Sequence, residues 1–142
     1  MPPIDDPLPT PPGRPASPDQ EARILIIDDE RDVGVAMARL LKPTPVVFAQ
    51  SASGALGRLD AGGRFAAIVC DIRMPGIDGM QFYQAVLERS PELARRIVYV
   101  TGSLGSPELD EFLARTGCPC LRKPFDGRQL RQAVERAVAI TE

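Results

Sequence analysis

Arg23-Ile-Leu-Ile-Ile-Asp28-Asp29 is a run of branched apolar residues that closes on two acids, and Ala66-Ala-Ile-Val-Cys-Asp71 repeats the pattern with one. Such runs, bounded by turn signals, read as strands buried on both faces of a parallel sheet. A third short run ends at Lys123-Pro124. If these strands lie side by side and parallel, their terminal acids collect at one edge of the sheet, where open α/β folds hold their ligands. Clustered carboxylates repel one another, so a hard cation is needed to keep them ionised together. The pattern points to Mg²⁺ at Asp28, Asp29 and Asp71, and to a phosphoryl group as a substrate that Mg²⁺ and Lys123 would both attract. Singly, each acid also reads as a turn residue; three acids gathered at one edge would otherwise destabilise the fold.

Composition bounds the chemistry. The 142 residues suffice for one domain with a core. A formal charge of -2 and a pI near 5.2 argue against a surface that holds nucleic acid by charge. No apolar run has membrane-spanning length and no basic-then-apolar leader is present, so a cytoplasmic location is expected. Cys70 falls inside a buried strand. The Cys118-Pro-Cys120 pair would suit a thiolate metal site in spacing alone, and apolar packing is the preferred reading. The chain has no histidine, which excludes a histidine phosphodonor, a Ser-His or Cys-His hydrolase and a His-ligated metal centre. Phosphoryl chemistry must run through carboxylate.

Residues 1–21 are expected to be a proline-rich tail or linker: the first twenty carry eight of the fifteen prolines and few large apolar residues. Residues 22–142 form the domain, in which short apolar runs alternate with helical patterns, the signature of βα units. Strands are predicted at 23–28, 46–49, 66–71, 97–101 and 119–122. Helices are predicted at 30–41, from a Ser51 or Ser53 cap to Ala61, at 79–89, after Ser106-Pro107, and from Asp126, which with Gln129 resembles a capping box. Five such repeats imply an α/β, doubly wound (βα)₅ domain with a five-stranded parallel sheet and helices on both faces. No output domain is expected after the last helix.

The set Asp28-Asp29, Asp71 followed by Met74-Pro75-Gly76 and Gly79, Thr101-Gly102, and Lys123-Pro124-Phe125 resembles the receiver domain of two-component response regulators over residues 22–140. The resemblance implies a flavodoxin-like fold in which Asp71 accepts a phosphoryl group from a phosphohistidine. It implies Mg²⁺ held directly by Asp29, largely through water by Asp28, and by Asp71 and the carbonyl of Arg73. Thr101 and Lys123 would contact the phosphoryl oxygens, Gly102 would leave room for the group, and the Lys123-Pro124 bond would be cis. The implied partners are a sensor histidine kinase or histidine phosphotransfer protein and a downstream protein, with a homodimer allowed and neither nucleic acid nor membrane involved. Such a protein is not an enzyme acting on other substrates; it promotes its own phosphorylation and dephosphorylation.

Lys123 has separate support, because arginine supplies fifteen of the seventeen basic residues and a compact ammonium suits a single phosphoryl oxygen better than a planar fork. Two positions depart from the family pattern. Leu121 stands where many receivers carry an aromatic ring, and Arg73, two residues after the phosphoacceptor, is a long cation able to cover the site. Residues 112–125 are similar to those of receivers at the end of hybrid sensor kinases. Three alternatives share parts of this pattern. A haloacid-dehalogenase-type phosphatase needs a second Asp where Arg73 stands. A nucleotide-binding protein needs a glycine-rich loop where Asp28-Asp29-Glu30 stands. A pseudo-receiver would not need the full set of acids, threonine and lysine.

Overall fold

The computed structural model describes residues 23–73, 78–102 and 106–140. The proline-rich tail, Met74-Pro75-Gly76 and the stretch 103–105 lie outside the described residues.

Strands β1 (Ile24–Ile27), β2 (Val46–Ala49), β3 (Ala67–Asp71), β4 (Ile97–Thr101) and β5 (Cys120–Arg122) form one parallel sheet in the order β2-β1-β3-β4-β5. Helices α1 (Arg31–Leu40), α2 (Ala52–Asp60), α3 (Gly79–Arg89), α4 (Pro91–Ala94), α5 (Pro107–Thr116) and α6 (Gly127–Val138) connect and cover them. The predicted five-stranded α/β domain is the one observed.

Alternation along the strands divides the core into two layers. Leu25, Ile27, Ile68, Cys70, Ile97 and Tyr99 pack with Ala55, Leu56, Phe82, Val86 and Phe112 of α2, α3 and α5. On the opposite face Ile24, Ile26, Val69, Val98 and Val100 meet Met37 of α1 and Leu130, Val134 and Ala137 of α6. Because both faces are covered, the central strands read as unbroken apolar runs rather than alternating ones.

The helix starts follow local chemistry. Ser51, Ser90 and Ser106 accept hydrogen bonds from the amides of Gly54, Leu93 and Leu109. Asp126 and Gln129 close the capping box expected from their spacing, and Asp78 with Gln81 forms a second. Glu30 caps α1 by position without a side-chain bond. The helix α4, absent from the sequence expectation, is a single turn. Lys123-Pro124 is cis, as the resemblance implied, and Lys42-Pro43 is also cis.

The strand order has a physical consequence for the site. From β1 the chain first moves outward to β2 and then crosses back to β3 on the other side. The crevice of a doubly wound sheet opens where this reversal occurs, beyond the C-terminal ends of β1 and β3. Asp28 follows β1 and Asp71 ends β3.

Candidate functional site

Asp28 is fully buried. Its amide donates to the carbonyl of Ala49 at 3.1 Å, and its Oδ1 accepts from the amide of Glu30 at 2.8 Å. Its Oδ2 lies 3.4 Å from Lys123 Nζ. Asp71 is buried to 7% exposure; its Oδ1 accepts from the Arg73 amide at 3.1 Å and its Oδ2 lies 3.4 Å from the same Lys123 Nζ. Asp29 is exposed at the rim. One carboxylate oxygen from each of Asp28, Asp29 and Asp71 can be chosen so that all three lie within 4.8 Å of one another.

Lys123 is brought to the acids from the far side of the sheet. Its amide donates to the carbonyl of Thr101 at 2.7 Å, continuing the β4–β5 ladder past Arg122. Thr101, 5% exposed, thereby stands beside the lysine at the end of β4. A Cβ on Gly102 would sit 3.9 Å from Lys123 Cδ, an ordinary contact, so the glycine leaves open space over the lysine stem rather than avoiding a clash.

The electrostatics follow from this arrangement. Burial raises the carboxyl of Asp71 above its ordinary range; the Arg73 amide and Lys123 pull it back, and Asp28 adds to the rise. Burial acts to lower the Lys123 ammonium, but the carboxylates of Asp71 and Asp28 outweigh it and hold the group above its usual value. Lys123 is therefore a fixed cation between two acids.

Three carboxylates against one ammonium leave the cluster short of positive charge. An oxygen-only donor set without imidazole or thiolate suits a hard divalent cation, so these residues fit Mg²⁺. Among the described residues the three acids are the one group of metal-holding geometry, and no cysteine belongs to it. Cys118 is buried and Cys120 half-buried, and burial pushes both thiols up. Both pack into the layer of α2, α3 and α5.

The structure brings together Asp28, Asp29, Asp71, Thr101 and Lys123 from the ends of β1, β3, β4 and β5. The Arg73 side chain is exposed and its amide faces Asp71. Leu121 is half-buried against the layer of α1 and α6. Two features escaped the sequence reading. Lys123 bridges Asp28 and Asp71 rather than awaiting a phosphoryl oxygen alone, and Tyr99 ties α3 to β4 close to the site, its hydroxyl donating to the Gly79 carbonyl at 2.8 Å. The tyrosine was visible as a polar atom inside an otherwise aliphatic strand.

A cavity of about 640 Å³ lined by Arg64, Phe65, Arg89 and Arg96 lies at the opposite edge of the sheet. Arg89 there is paired with Asp60, and Arg96 donates to the carbonyl of Ile140. Volume alone does not mark the chemistry in this fold.

The family model of the response regulator receiver domain matches residues 24–135. The C4-dicarboxylate transport transcriptional regulatory protein DctD of Rhizobium meliloti is 31% identical over 115 residues, 80% of this chain and 25% of that protein. The transcriptional regulatory protein FixJ of Azorhizobium caulinodans is 31% identical over 117 residues, 81% of this chain and 54% of that protein. The chain thus spans between a quarter and a little over half of the length of these relatives. A CheY-like receiver domain structure from Methanospirillum hungatei superposes with a TM-score of 0.74 at 23% identity, covering 83% of this chain and 94% of that one.

Proposed function

Since the chain belongs to the response regulator receiver domain family, and such domains serve phosphoryl-accepting two-component signalling, we propose that Asp71 is the phosphoacceptor and that the donor is a phosphohistidine on a sensor histidine kinase or histidine phosphotransfer protein. The observation that carries this reading is the position of Asp71: buried at the end of the central strand, beside two further acids, with a lysine 3.4 Å from its Oδ2.

In this mechanism a carboxylate oxygen of Asp71 attacks phosphorus as the bond from phosphorus to the histidine nitrogen breaks, leaving an aspartyl phosphate and a neutral imidazole. Asp28, Asp29, Asp71 and the carbonyl of Arg73 would hold Mg²⁺, which when bound neutralises phosphoryl oxygens and so favours in-line transfer. Lys123 turns from its bridge between two carboxylates toward a phosphoryl oxygen, and the Thr101 hydroxyl donates to another. Asp28 keeps the lysine in reach before transfer. Asp71 thereby changes from one negative charge to a phosphoryl group carrying more, and Thr101 and Lys123 follow it. Their shift at the ends of β4 and β5 alters the surface offered to a downstream protein. Hydrolysis of the anhydride by water resets the switch.

The protein acts in the cytoplasm on this reading; none of the described helices is long and apolar enough to cross a membrane. Residues 1–21 serve as a tail or linker to the domain beginning at 22.

Labelling with acetyl phosphate in Mg²⁺ tests the assignment. Wild type should gain one phosphoryl group that hydroxylamine removes, and Asp71→Asn should gain none. Undiminished labelling of that variant would place the acceptor elsewhere.

A further inference from the structure

We infer that Tyr99 is a positioning residue for the Mg²⁺ and phosphoryl site, acting through Gly79 and Ile72 on the segment that leaves Asp71; the inference rests on the reading of Asp71 as phosphoacceptor. Tyr99 is fully buried on β4, two residues before Thr101, with the Phe112 ring edge-on at 5.6 Å. Its strand neighbours Ile97, Val98 and Val100 are aliphatic, and an aliphatic residue would satisfy the layer. A buried hydroxyl is costly unless bonded. Here it donates to the carbonyl of Gly79, the first residue of α3, at 2.8 Å. Burial raises the phenol pKa well above its ordinary value, so the group remains a donor across the working pH range.

Gly79 is also tied back to the strand that carries the phosphoacceptor. Its amide donates to the Ile72 carbonyl at 2.9 Å, and the Ile72 amide donates to Val100 at 3.0 Å. Tyr99, Gly79, Ile72 and Val100 therefore close a circuit that starts and ends on β4. Between Ile72 and Gly79 the chain departs at Arg73, whose amide bonds Asp71 Oδ1, and returns at Asp78, whose side chain caps α3. The two ends of this excursion touch: a Cβ on Gly79 would lie 2.9 Å from Ile72 Cα, 3.1 Å from the Tyr99 ring and 3.2 Å from the Asp71 carbonyl oxygen. Phe82 and Val86 hold the body of α3 to the sheet by apolar packing. Apolar packing resists separation but has little directionality, whereas a hydrogen bond at the first residue of the helix sets its position along the strand. The Tyr99 hydroxyl thus fixes the base of the segment whose first residue presents both an amide to Asp71 and the carbonyl assigned to Mg²⁺.

Tyr99→Phe removes the hydroxyl and keeps the ring. Its control is Phe112→Leu, which loosens the other wall of the same ring without touching the hydrogen bond. In chelator, Tyr99→Phe should speed amide exchange at Gly79 and Arg73 relative to wild type while leaving Val98 and Val69 unchanged. In a Mg²⁺ titration followed by amide chemical shifts, its dissociation constant should rise about three- to tenfold, the range a single buried hydrogen bond commands. Phe112→Leu should lower the melting temperature with the Mg²⁺ constant within twofold of wild type. An unchanged Mg²⁺ constant in Tyr99→Phe, or an equal rise in Phe112→Leu, would overturn the positioning role while wild type still takes the acetyl phosphate label. A wild type that neither binds Mg²⁺ nor takes label would overturn this inference together with the reading of Asp71.

Discussion

Lys123 stands 3.4 Å from a carboxylate oxygen of Asp28 and from one of Asp71, and this shared contact decides how the site behaves before any phosphoryl group arrives. The Lys123 side chain is 23% exposed and that of Asp28 fully buried, so the pair is screened far less than a surface bridge. Removing the ammonium leaves two buried acids facing each other. In chelator, Lys123→Ala should lose about 2 kcal/mol in urea unfolding, and Mg²⁺ should narrow the gap to wild type by supplying positive charge to the same oxygens. Equal stability of the two proteins in chelator would show that the bridge contributes nothing. Arg73 acts later in the cycle. Its side chain is exposed beside Asp71, where a mobile cation can lie across the aspartyl phosphate and hinder the attacking water. Arg73→Ala should therefore shorten the phosphoryl half-life about threefold or more, a difference of order 1 kcal/mol in the barrier to hydrolysis, with phosphotransfer little changed. An unaltered half-life in a single-turnover decay would mean that the side chain points away. At this scale the acids, threonine and lysine were legible because each ends a recognisable strand. The bridging of Asp28 and Asp71 by Lys123 was not, since it depends on β5 lying on the far side of β4 from β3.

Elements were legible where packing and local chemistry agree. The strands stood out as apolar runs because both sheet faces are covered, and the helices at Ser51, Ser106 and Asp126 because their caps satisfy exposed amides. Pro91–Ala94 was missed although Ser90-Pro91 repeats the signature of Ser106-Pro107: four residues are too few for a helical period to show. The capping box of Asp78 and Gln81 was equally present in the sequence, hidden behind the motif that precedes it. Gly34 shows what an isolated sequence conceals. It is buried within α1, where alanine would ordinarily gain about 1 kcal/mol of helix propensity. Yet a Cβ there would stand 2.5 Å from Phe48 Cδ1 and closer still to Cε1. Gly34→Ala must push the Phe48 ring out of its notch on β2, and overpacking of this kind costs about 1–3 kcal/mol. The variant should thus melt below wild type. A higher melting temperature would show that the half-buried ring swings aside freely and that propensity wins.

For the molecule as a whole, a doubly wound sheet brings the ends of β1, β3, β4 and β5 to one edge, so function and stability are set against each other there. The parallel, doubly wound class was legible from five βα repeats, whereas the strand order and the register that aligns Cys70 with Tyr99 and Ile27 depend on side-chain packing across the sheet. The cost of collecting acids appears as pH dependence. Burial raises the native pKa of Asp71 above the ordinary 3.8, so the folded protein binds a proton at pH values where the unfolded chain has already released it. Asp71's contribution to stability is therefore complete below the unfolded pKa and is lost as pH rises through the native one. Mg²⁺ should act in the opposite sense, because it binds the ionised carboxylates and stabilises the fold by mass action, about 2.7 kcal/mol at a hundredfold excess over its dissociation constant. The gap in melting temperature between Mg²⁺ and chelator should accordingly widen as pH rises through the native pKa of Asp71 and level off above it. Comparing wild type with Asp71→Asn at each pH removes the background from other titrating groups. The variant should be the more stable in chelator above that pKa and should gain less from Mg²⁺. A variant less stable than wild type in chelator at neutral pH would show that the ionised Asp71 is already compensated by Lys123 and the Arg73 amide, and that the folded domain does not need Mg²⁺ to hold its acids together.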